Sequence, residues 1–262
     1  MKVVFTDLDG TLLDHDTYSF DAARPALEAL AEEGVPVVFV TSKTRAETEF
    51  WRVRTSNRHP FVVENGGAAV IPPASLPFEA PAEIVLGERY PVLVESLGRA
   101  SRAAGVPVRG FHSLSVEEIA RAASLPAGQA ALAKQREFDE PFEILEESRS
   151  GDLLAAIEAE GKRWTRGGRF YHITGANDKA AAVAKLIDLY RRADPAVQTY
   201  GFGDGLNDAP FLNAVECPVL VLSRATSRLR EQVPRGILTG APGPAGWNRA
   251  VFELVLGGPR PF

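Results

Sequence analysis

Residues 3–13, VVFTDLDGTLL, combine an apolar run with two aspartates, Asp7 and Asp9, placed where that run ends. The apolar run predicts a buried strand. Similar apolar runs at 35–40 and 61–65 alternate along the chain with segments of helical periodicity. Continuous apolar strands that alternate with helices predict an α/β fold whose parallel sheet is covered by helices on both faces, that is, a doubly wound core.

The pattern changes after a proline-rich stretch at 72–83, which predicts a linker. The segment that follows mixes short strands with helices and contains a predicted hairpin, with the glycine pair 167–168 at its turn. Further along the chain, the alternation of apolar strands and helices resumes. We therefore predict a core made of residues 1–82 and 175–262, interrupted by an inserted α+β domain at 83–174.

A second acidic segment, GFGDGLNDAP at 201–210, also follows an apolar strand. Ligands of parallel α/β sheets bind at the carboxyl ends of the strands, where both acidic segments are predicted to lie. Carboxylates brought together there repel one another unless a cation intervenes, and carboxylate oxygens suit Mg²⁺. DLDGT alone is equally typical of a hairpin turn. The two segments together favour a metal site formed by Asp7, Asp9, Asp204 and Asp208.

Charge and composition exclude several classes of partner and location. The net charge of −5 argues against nucleic acid and anionic membranes as main partners, because both need a basic face. No apolar run approaches the ~20 residues of a membrane span, and the N-terminus becomes acidic too early for a signal peptide. Cys217 is the only cysteine, which excludes an intrachain disulfide. We therefore expect a cytoplasmic protein. No segment has the pattern of an interface, so no oligomeric state is predicted.

Four motifs resemble, in order and spacing, those of the haloacid dehalogenase superfamily of phosphatases. They are DLDGT, the pair Thr41-Ser42, a lysine at the head of a later helix, and GDGLND. The resemblance implies that Asp7 is the nucleophile that forms an aspartyl-phosphate, and that Asp9 is the general acid and base. It also implies that Lys179 neutralises the phosphoryl group and holds the nucleophile. The inserted domain resembles the cap that one subgroup of this superfamily carries between its second and third motifs.

The same resemblance implies Mg²⁺ as the cofactor. The cation would take side-chain oxygens from Asp7 and Asp204 and only the main-chain carbonyl of Asp9. Asp208 would support the metal through water or through Lys179. This division of roles requires the environments of the first two aspartates to push their pKa values apart, because one must be ionised while the other carries a proton.

Segments outside the four motifs, TSKTRAE, VENGG, KQREFDEPFE and RGGRFYHITGANDKA, resemble mannosyl-3-phosphoglycerate phosphatases. This implies a phosphorylated glycosyl glycerate as substrate, with cap arginines that hold its carboxylate. Ser42 would bind the phosphoryl oxygens at a helix N-terminus, with Thr41 as its rival. His172, on an apolar strand, is expected to be a packing residue. The residues expected to bind phosphate or substrate are Thr41, Ser42, Lys43, Asn65, Gly66, Arg136, Arg166 and Arg169.

Three other functions are compatible with the same residues. The first is a phosphatase for another sugar phosphate or phosphoglycerate ester. The second is a phosphomutase, which would return the phosphoryl group from the aspartyl-phosphate to a sugar. The third is a phospho-accepting signalling domain, which also pairs an acidic cluster with Thr or Ser and Lys on a parallel sheet but has no need of a cap.

Overall fold

The computed structural model describes residues 1–166 and 169–258. The strands are β1 (Lys2–Thr6), β2 (Val37–Val40), β3 (Phe61–Val63), β4 (Ala68–Val70), β5 (Glu83–Val85), β6 (Val108–Gly110), β7 (Glu140–Ile144), β8 (Arg163–Arg166), β9 (Tyr171–Thr174), β10 (Gln198–Gly203), β11 (Cys217–Leu222) and β12 (Ile237–Pro242). The α-helices are α1 (Arg24–Glu32), α2 (Arg45–Arg54), α3 (Tyr90–Ala104), α4 (Val116–Ala123), α5 (Ala127–Ala133), α6 (Ser150–Ala159), α7 (Lys179–Ala193), α8 (Ala209–Ala214), α9 (Thr226–Gln232) and α10 (Gly243–Ala250).

An eight-stranded sheet forms the core, in the order β12-β11-β10-β1-β2-β3-β4-β5. The strands from β12 to β3 pair in parallel, and β4 and β5 add two antiparallel strands at one edge. One apolar cluster lies on each face of this sheet. The first includes Leu30 of α1 and Trp247 of α10, and the second includes Leu186 of α7 and Phe211 of α8. The doubly wound α/β core is confirmed, and continuous apolar strands such as β2 are buried on both faces.

The strand β5 corrects one predicted boundary. Glu83–Val85 was predicted to begin the inserted domain, whereas this strand pairs with β4 and forms the edge of the core sheet. Ile84 lies opposite Ala69 in that pairing and packs against the core cluster on the α7 face. The proline-rich segment therefore returns the chain to the core before the insertion begins. The boundary at 174 stays a prediction.

The inserted segment forms a cap around a second, four-stranded antiparallel sheet in the order β6-β7-β9-β8. Helices α3 and α6 cover one face of this sheet, where Tyr171 and Ile173 pack with Leu97 and Leu153. Because side chains alternate along a strand, His172 lies on the opposite face. The predicted hairpin strands β8 and β9 are paired, and the glycines at the predicted turn, 167–168, lie outside the described residues.

The loop after β3 forms hydrogen bonds with the two segments that connect the core with the cap. The carboxylate of Glu64 accepts the backbone N–H groups of Glu137, at 3.0 and 3.1 Å, and of Phe138, at 2.7 Å. The carbonyl of Gly67 accepts the N–H of Gly87 at 2.8 Å. Glu64 and Asn65 have φ values of 47° and 54°, in the left-handed region that non-glycine residues rarely adopt. The VENGG segment is thus a joint between the two parts of the molecule.

Among the helices of the described residues, we find none with the length and apolar character needed to cross a lipid bilayer.

Candidate active site

The two acidic segments meet at the carboxyl ends of neighbouring strands. Strands β1 and β10 pair in parallel, so the residues that follow them lie side by side. The backbone N–H of Asp7 donates to the carbonyl of Phe202 at 2.9 Å, which extends this pairing by one residue. Carboxylate oxygens of Asp7, Asp204 and Asp208 all lie within 4.8 Å of one another. The structure therefore brings together three of the four aspartates expected to form a metal site.

Lys179 lies in the middle of this acidic cluster. Its Nζ is 2.6 Å from Asp208 Oδ1 and 3.1 Å from Asp7 Oδ1, and its side chain is buried. Burial alone would lower the pKa of the ammonium, but Asp208 and Asp7 together raise it above its usual range. Helix α7 begins at this lysine because Asp178 caps it, accepting the N–H of Ala181 at 2.8 Å. Lys179 is a fixed positive charge directed at the predicted nucleophile.

The remaining oxygen of Asp208 holds the second acidic loop in place. Asp208 Oδ2 accepts the backbone N–H groups of Asp204, at 3.1 Å, and of Gly205, at 2.9 Å. The hydroxyl of Thr11 donates to Asp204 Oδ1 at 2.9 Å. With both oxygens of Asp208 occupied, this residue supports the cluster, and Asp7 and Asp204 retain carboxylate oxygens for a cation.

The donor set and its electrostatics fit a divalent cation. Burial, followed by the nearby charge of Asp208, raises the pKa of Asp204 to about 7. The same two causes raise the pKa of Asp7 well above its usual range. A bound cation would remove this penalty, since it offsets the repulsion between the carboxylates. At Gly10, with φ of 73°, a Cβ would lie 2.7 Å from Asp204 Oδ2, so only glycine leaves room for the carboxylate.

Among the described residues, Asp9 is not in the group of carboxylates that lie within 4.8 Å of one another, and it pairs with Lys43, whose Nζ lies 2.9 Å from Asp9 Oδ1. Burial lowers the pKa of the Lys43 ammonium, but Asp9 and Glu47 outweigh this effect and raise it. The ring of Tyr18 lies 5.1 Å from the same ammonium. Lys43 directly precedes helix α2, which begins with a capping box formed by Thr44 and Glu47. A contribution of Asp9 to a metal site through its main-chain carbonyl stays a prediction.

The two rival hydroxyls after β2 differ in what surrounds them. Thr41 is buried, and its Oγ1 accepts the backbone N–H of Lys43 at 3.2 Å. Ser42 borders a cavity of about 300 Å³ between the core and the cap, and its carbonyl accepts a hydrogen bond from Arg136. Of the two, only Ser42 is available to a molecule in this cavity.

The sequence predicted that Asn65 and Gly66 bind substrate. In the described part of the chain, neither residue lines the cavity. Asn65 is buried, and its Nδ2 donates to Asp139 of the cap at 2.8 Å. A Cβ at Gly66 would lie 2.0 Å from the carbonyl oxygen of Asp178, so the chain before α7 passes directly against this glycine. Asn65 therefore joins the core to the cap, whereas Gly66 packs against the start of α7 in the core.

The three predicted cap arginines differ in whether they line the cavity. Arg136 and Arg169 line it, together with the core residues Asp9, Ser42 and Lys43. Arg166 does not line it. The Arg166 side chain is 61% exposed and pairs with Glu147 at 3.2 Å. Its strand β8 is the edge of the cap sheet and carries this side chain into solvent.

Arg136 and Arg169 are held differently. Arg136 is buried and donates from Nη1 to the carbonyl of Ser42 at 3.0 Å and from Nε to the carbonyl of Ala133 at 2.9 Å. Arg169 donates from Nη1 to Ser124 Oγ at 2.6 Å, and within residues 1–166 and 169–258 it has no carboxylate partner. Its positive charge is therefore available to an anion in the cavity.

Two residues of the cap, Asp139 and His172, were not among those predicted from the sequence to bind substrate. Asp139 is fully buried, and His172 lines the cavity with its Nδ1 2.8 Å from Asp139 Oδ1. The expectation that His172 is a packed histidine and not a catalyst stays a prediction, but strand alternation turns its side chain away from Tyr171 and Ile173, so the residue lines the cavity. That alternation was the available signal in the sequence.

Comparison with known proteins identifies the family. The family model described as haloacid dehalogenase-like hydrolase matches residues 4–75. A glucosyl-3-phosphoglycerate/mannosyl-3-phosphoglycerate phosphatase of Methanococcoides burtonii is 40% identical over 97% of this chain and 97% of its own length. A mannosyl-3-phosphoglycerate phosphatase of Pyrococcus furiosus is 38% identical over 84% of this chain and 91% of its own length.

Solved structures show the same fold. A sugar phosphatase of haloacid dehalogenase subclass IIB matches with a TM-score of 0.67 over 97% of this chain and 98% of its own, at 18% identity. The sucrose-phosphatase of Synechocystis matches with a TM-score of 0.62 over 96% of both chains, at 11% identity. Because it is 40% identical to one of these relatives over nearly the whole length of both chains, the chain belongs to the haloacid dehalogenase-like hydrolases, in the family of the glucosyl-3-phosphoglycerate/mannosyl-3-phosphoglycerate phosphatases.

Proposed function

We propose that this protein is a Mg²⁺-dependent phosphatase that hydrolyses the phosphomonoester of mannosyl-3-phosphoglycerate, and of glucosyl-3-phosphoglycerate, to a glycosylglycerate and phosphate. One observation carries the proposal: Asp7, held by Lys179 within the acidic cluster, lies two residues before Asp9, which lines the cavity between the core and the cap. The relatives named above support the choice of substrate.

In the first half of the reaction, the carboxylate of Asp7 attacks phosphorus. The bond between phosphorus and the glycerate oxygen breaks as an aspartyl-phosphate forms, and Asp9 gives its proton to the leaving oxygen. Lys179 contacts Asp7 Oδ1 at 3.1 Å, which orients the nucleophile and offsets negative charge on the phosphoryl group. Mg²⁺, held by Asp7 and Asp204, would supply further charge neutralisation at the phosphoryl oxygens.

In the second half, water attacks the phosphorus of the aspartyl-phosphate and gives its proton to Asp9. The bond between phosphorus and Asp7 breaks, so phosphate leaves and both carboxyl groups return to their starting states. We expect the hydroxyl of Ser42 to donate to a phosphoryl oxygen, since Ser42 lines the cavity together with Asp9 and Lys43.

The cap would bind the rest of the substrate. The cavity between the core and the cap has a volume of about 300 Å³. Closure of the cap over a bound substrate would exclude bulk water from the reacting atoms. Arg136 has donors committed to Ala133 and Ser42. Arg169 retains an unpaired charge at the cavity among the described residues, so it is the arginine best placed to bind the glycerate carboxylate.

Phosphate release from a panel of esters tests this function. We expect kcat/KM for mannosyl- and glucosyl-3-phosphoglycerate to exceed that for an aryl phosphate by at least about a hundredfold, since each well-placed charged contact contributes about tenfold. A higher value for a simple sugar phosphate would contradict the substrate. Transfer of the phosphoryl group to a sugar instead of water would identify a phosphomutase, and a stable phosphoprotein without turnover would identify a signalling domain.

A further inference from the structure

A chain of hydrogen bonds runs from the acidic loop to the wall of the cavity. The amide of Asn207 donates to Asn65 Oδ1 at 3.4 Å, and Asn65 Nδ2 donates to Asp139 Oδ2 at 2.8 Å. The other oxygen of Asp139 lies 2.8 Å from His172 Nδ1. Asn207 is part of the loop that carries Asp204, so this chain connects the predicted metal site with the cap.

Asp139 determines which ring nitrogen of His172 carries a proton. Burial would raise the pKa of Asp139, but the neighbouring ring of His172, and then Arg136, lower it below its usual range. An ionised carboxylate only accepts hydrogen bonds, so Nδ1 of the ring must donate. The ring orientation is thereby fixed, and Nε2 is the nitrogen left for other partners.

The ring of His172 is placed where a ligand can reach it. Its side chain is 13% exposed and lines the same cavity as Asp9 and Ser42. In the described part of the chain, Nε2 has no hydrogen-bond partner. A ring that is fixed through one nitrogen by a fully buried acid, in a residue that lines a cavity, is pre-organised for recognition.

We propose that His172 is a specificity-determining residue, whose Nε2 forms a hydrogen bond with an oxygen of the glycerate or sugar part of the substrate, and that Asp139 is its positioning residue. This inference rests on the proposed function, because it requires a substrate that extends beyond the phosphoryl group. The hydrogen bonds through Asn65 and Asn207 connect this contact with the loop that carries Asp204.

A second cap histidine provides a matched control. His112 Nδ1 lies 2.6 Å from Oε1 of Glu140, which is also fully buried, but His112 is not among the residues that line the cavity. Both histidines are thus held by a buried acid in the cap, and only His172 faces the proposed substrate. We would compare His172→Ala, Asp139→Asn and His112→Ala with the wild type.

The substrates form a series that contains more of the proposed substrate at each step: an aryl phosphate, glycerol 3-phosphate, 3-phosphoglycerate and a glycosyl-3-phosphoglycerate. We expect His172→Ala to lose about ten- to one-hundred-fold in kcat/KM on the largest substrate, relative to its change on the aryl phosphate. A loss that begins at 3-phosphoglycerate supports a contact with the carboxylate. A loss confined to the glycosylated substrate supports a contact with the sugar. His112→Ala should show no such selectivity.

Asp139→Asn separates positioning from folding. We expect it to raise KM for the glycosylated substrate more than it lowers kcat, and to weaken binding of the product glycosylglycerate measured by calorimetry. Equal losses on all four substrates, accompanied by a lower Tm, would show a merely structural role and overturn the inference. Unchanged selectivity in His172→Ala would also overturn it. If the wild type itself does not prefer the glycosylated substrate, the proposed function fails and this inference with it.

Discussion

Lys43 Nζ lies 2.9 Å from Asp9 Oδ1, and this ion pair joins the end of β2 to the loop that carries the predicted nucleophile. The Lys43 side chain is 7% exposed and that of Asp9 is 37% exposed, and both residues line the cavity, so a buried ammonium holds a carboxylate at the cavity surface. This ion pair holds the carboxyl group that is proposed to exchange a proton with the substrate.

Replacement of Lys43 should therefore impair every phosphate ester alike. In Lys43→Met, Asp9 loses its fixed partner, and we expect kcat to fall by about tenfold or more on both a glycosyl-3-phosphoglycerate and an aryl phosphate. Steady-state kinetics on the two substrates would measure this. A loss confined to the glycosylated substrate would show that Lys43 acts on the organic part of the substrate instead of on Asp9.

Removal of one carboxylate from the acidic cluster should stabilise the metal-free protein while it abolishes activity. Burial and Asp208 raise the pKa of Asp7 and Asp204, so each ionised carboxylate costs stability. We expect Asp7→Asn and Asp204→Asn to raise Tm in chelator by roughly 2–4 °C. Asp7→Asn should also lower kcat by orders of magnitude.

The same variants test the metal. Wild-type activity should vanish in chelator and return with Mg²⁺, and Mg²⁺ should raise the Tm of the wild type more than that of Asp204→Asn. Asp188→Asn, an exposed position on α7, is the control and should behave like the wild type. Full activity in excess chelator would contradict the metal assignment.

Two cap arginines should differ in their effect on specificity. Arg169 lines the cavity, whereas Arg166 is exposed and pairs with Glu147. We expect Arg169→Ala to lose about 1.5–3 kcal/mol of transition-state stabilisation on glycosyl-3-phosphoglycerate and much less on an aryl phosphate, which has no carboxylate. Arg166→Ala should have little effect on either substrate. An equal loss on both substrates in Arg169→Ala would indicate damage to the cap and not to recognition.

Glu64 should make the stability of the protein depend on pH. Burial raises the pKa of Glu64 from 4.5 to about 8. Its folded form therefore binds a proton that the unfolded form releases near pH 4.5. The stability it contributes is complete below that pH and is lost as pH rises towards 8.

The variant Glu64→Gln cannot titrate, so its stability should decrease less between pH 5 and pH 8. A single group of this kind contributes a slope of about 1.4 kcal/mol per pH unit within that window. Thermal unfolding of wild type and variant at intervals of one pH unit would reveal the difference. The exposed Glu95 of α3, changed to Gln, is the control. Parallel pH profiles for wild type and Glu64→Gln would show that Glu64 is ionised throughout.

The core and the acidic cluster could be predicted from the sequence because their signals are local. Apolar runs mark the buried parallel strands, and Asp7 and Asp204 each follow such a run. Parallel strands end at the same edge of a sheet, so strand periodicity places both residues at that edge, and the pairing of β1 with β10 makes them neighbours. Motif spacing then indicated Lys179, and the ion pairs of that lysine with Asp7 and Asp208 agree with its predicted place.

The first boundary of the inserted domain could not be predicted from such a local signal. Glu83–Val85 is a short segment after prolines, and only its pairing with β4 shows that it belongs to the core sheet. An edge strand of three residues has too few side chains to display a period.

The wall of the cavity was decided by tertiary structure. The sequence alone did not show which of the three cap arginines lines the cavity. The position of the cap over the core places Arg136 and Arg169 there. The contact between Asn65 and Asp139 joins residues that are 74 positions apart. No local pattern encodes such a distance. It depends on how two separately formed sheets dock, and docking is set by the packing of whole surfaces rather than by the periodicity of any one strand.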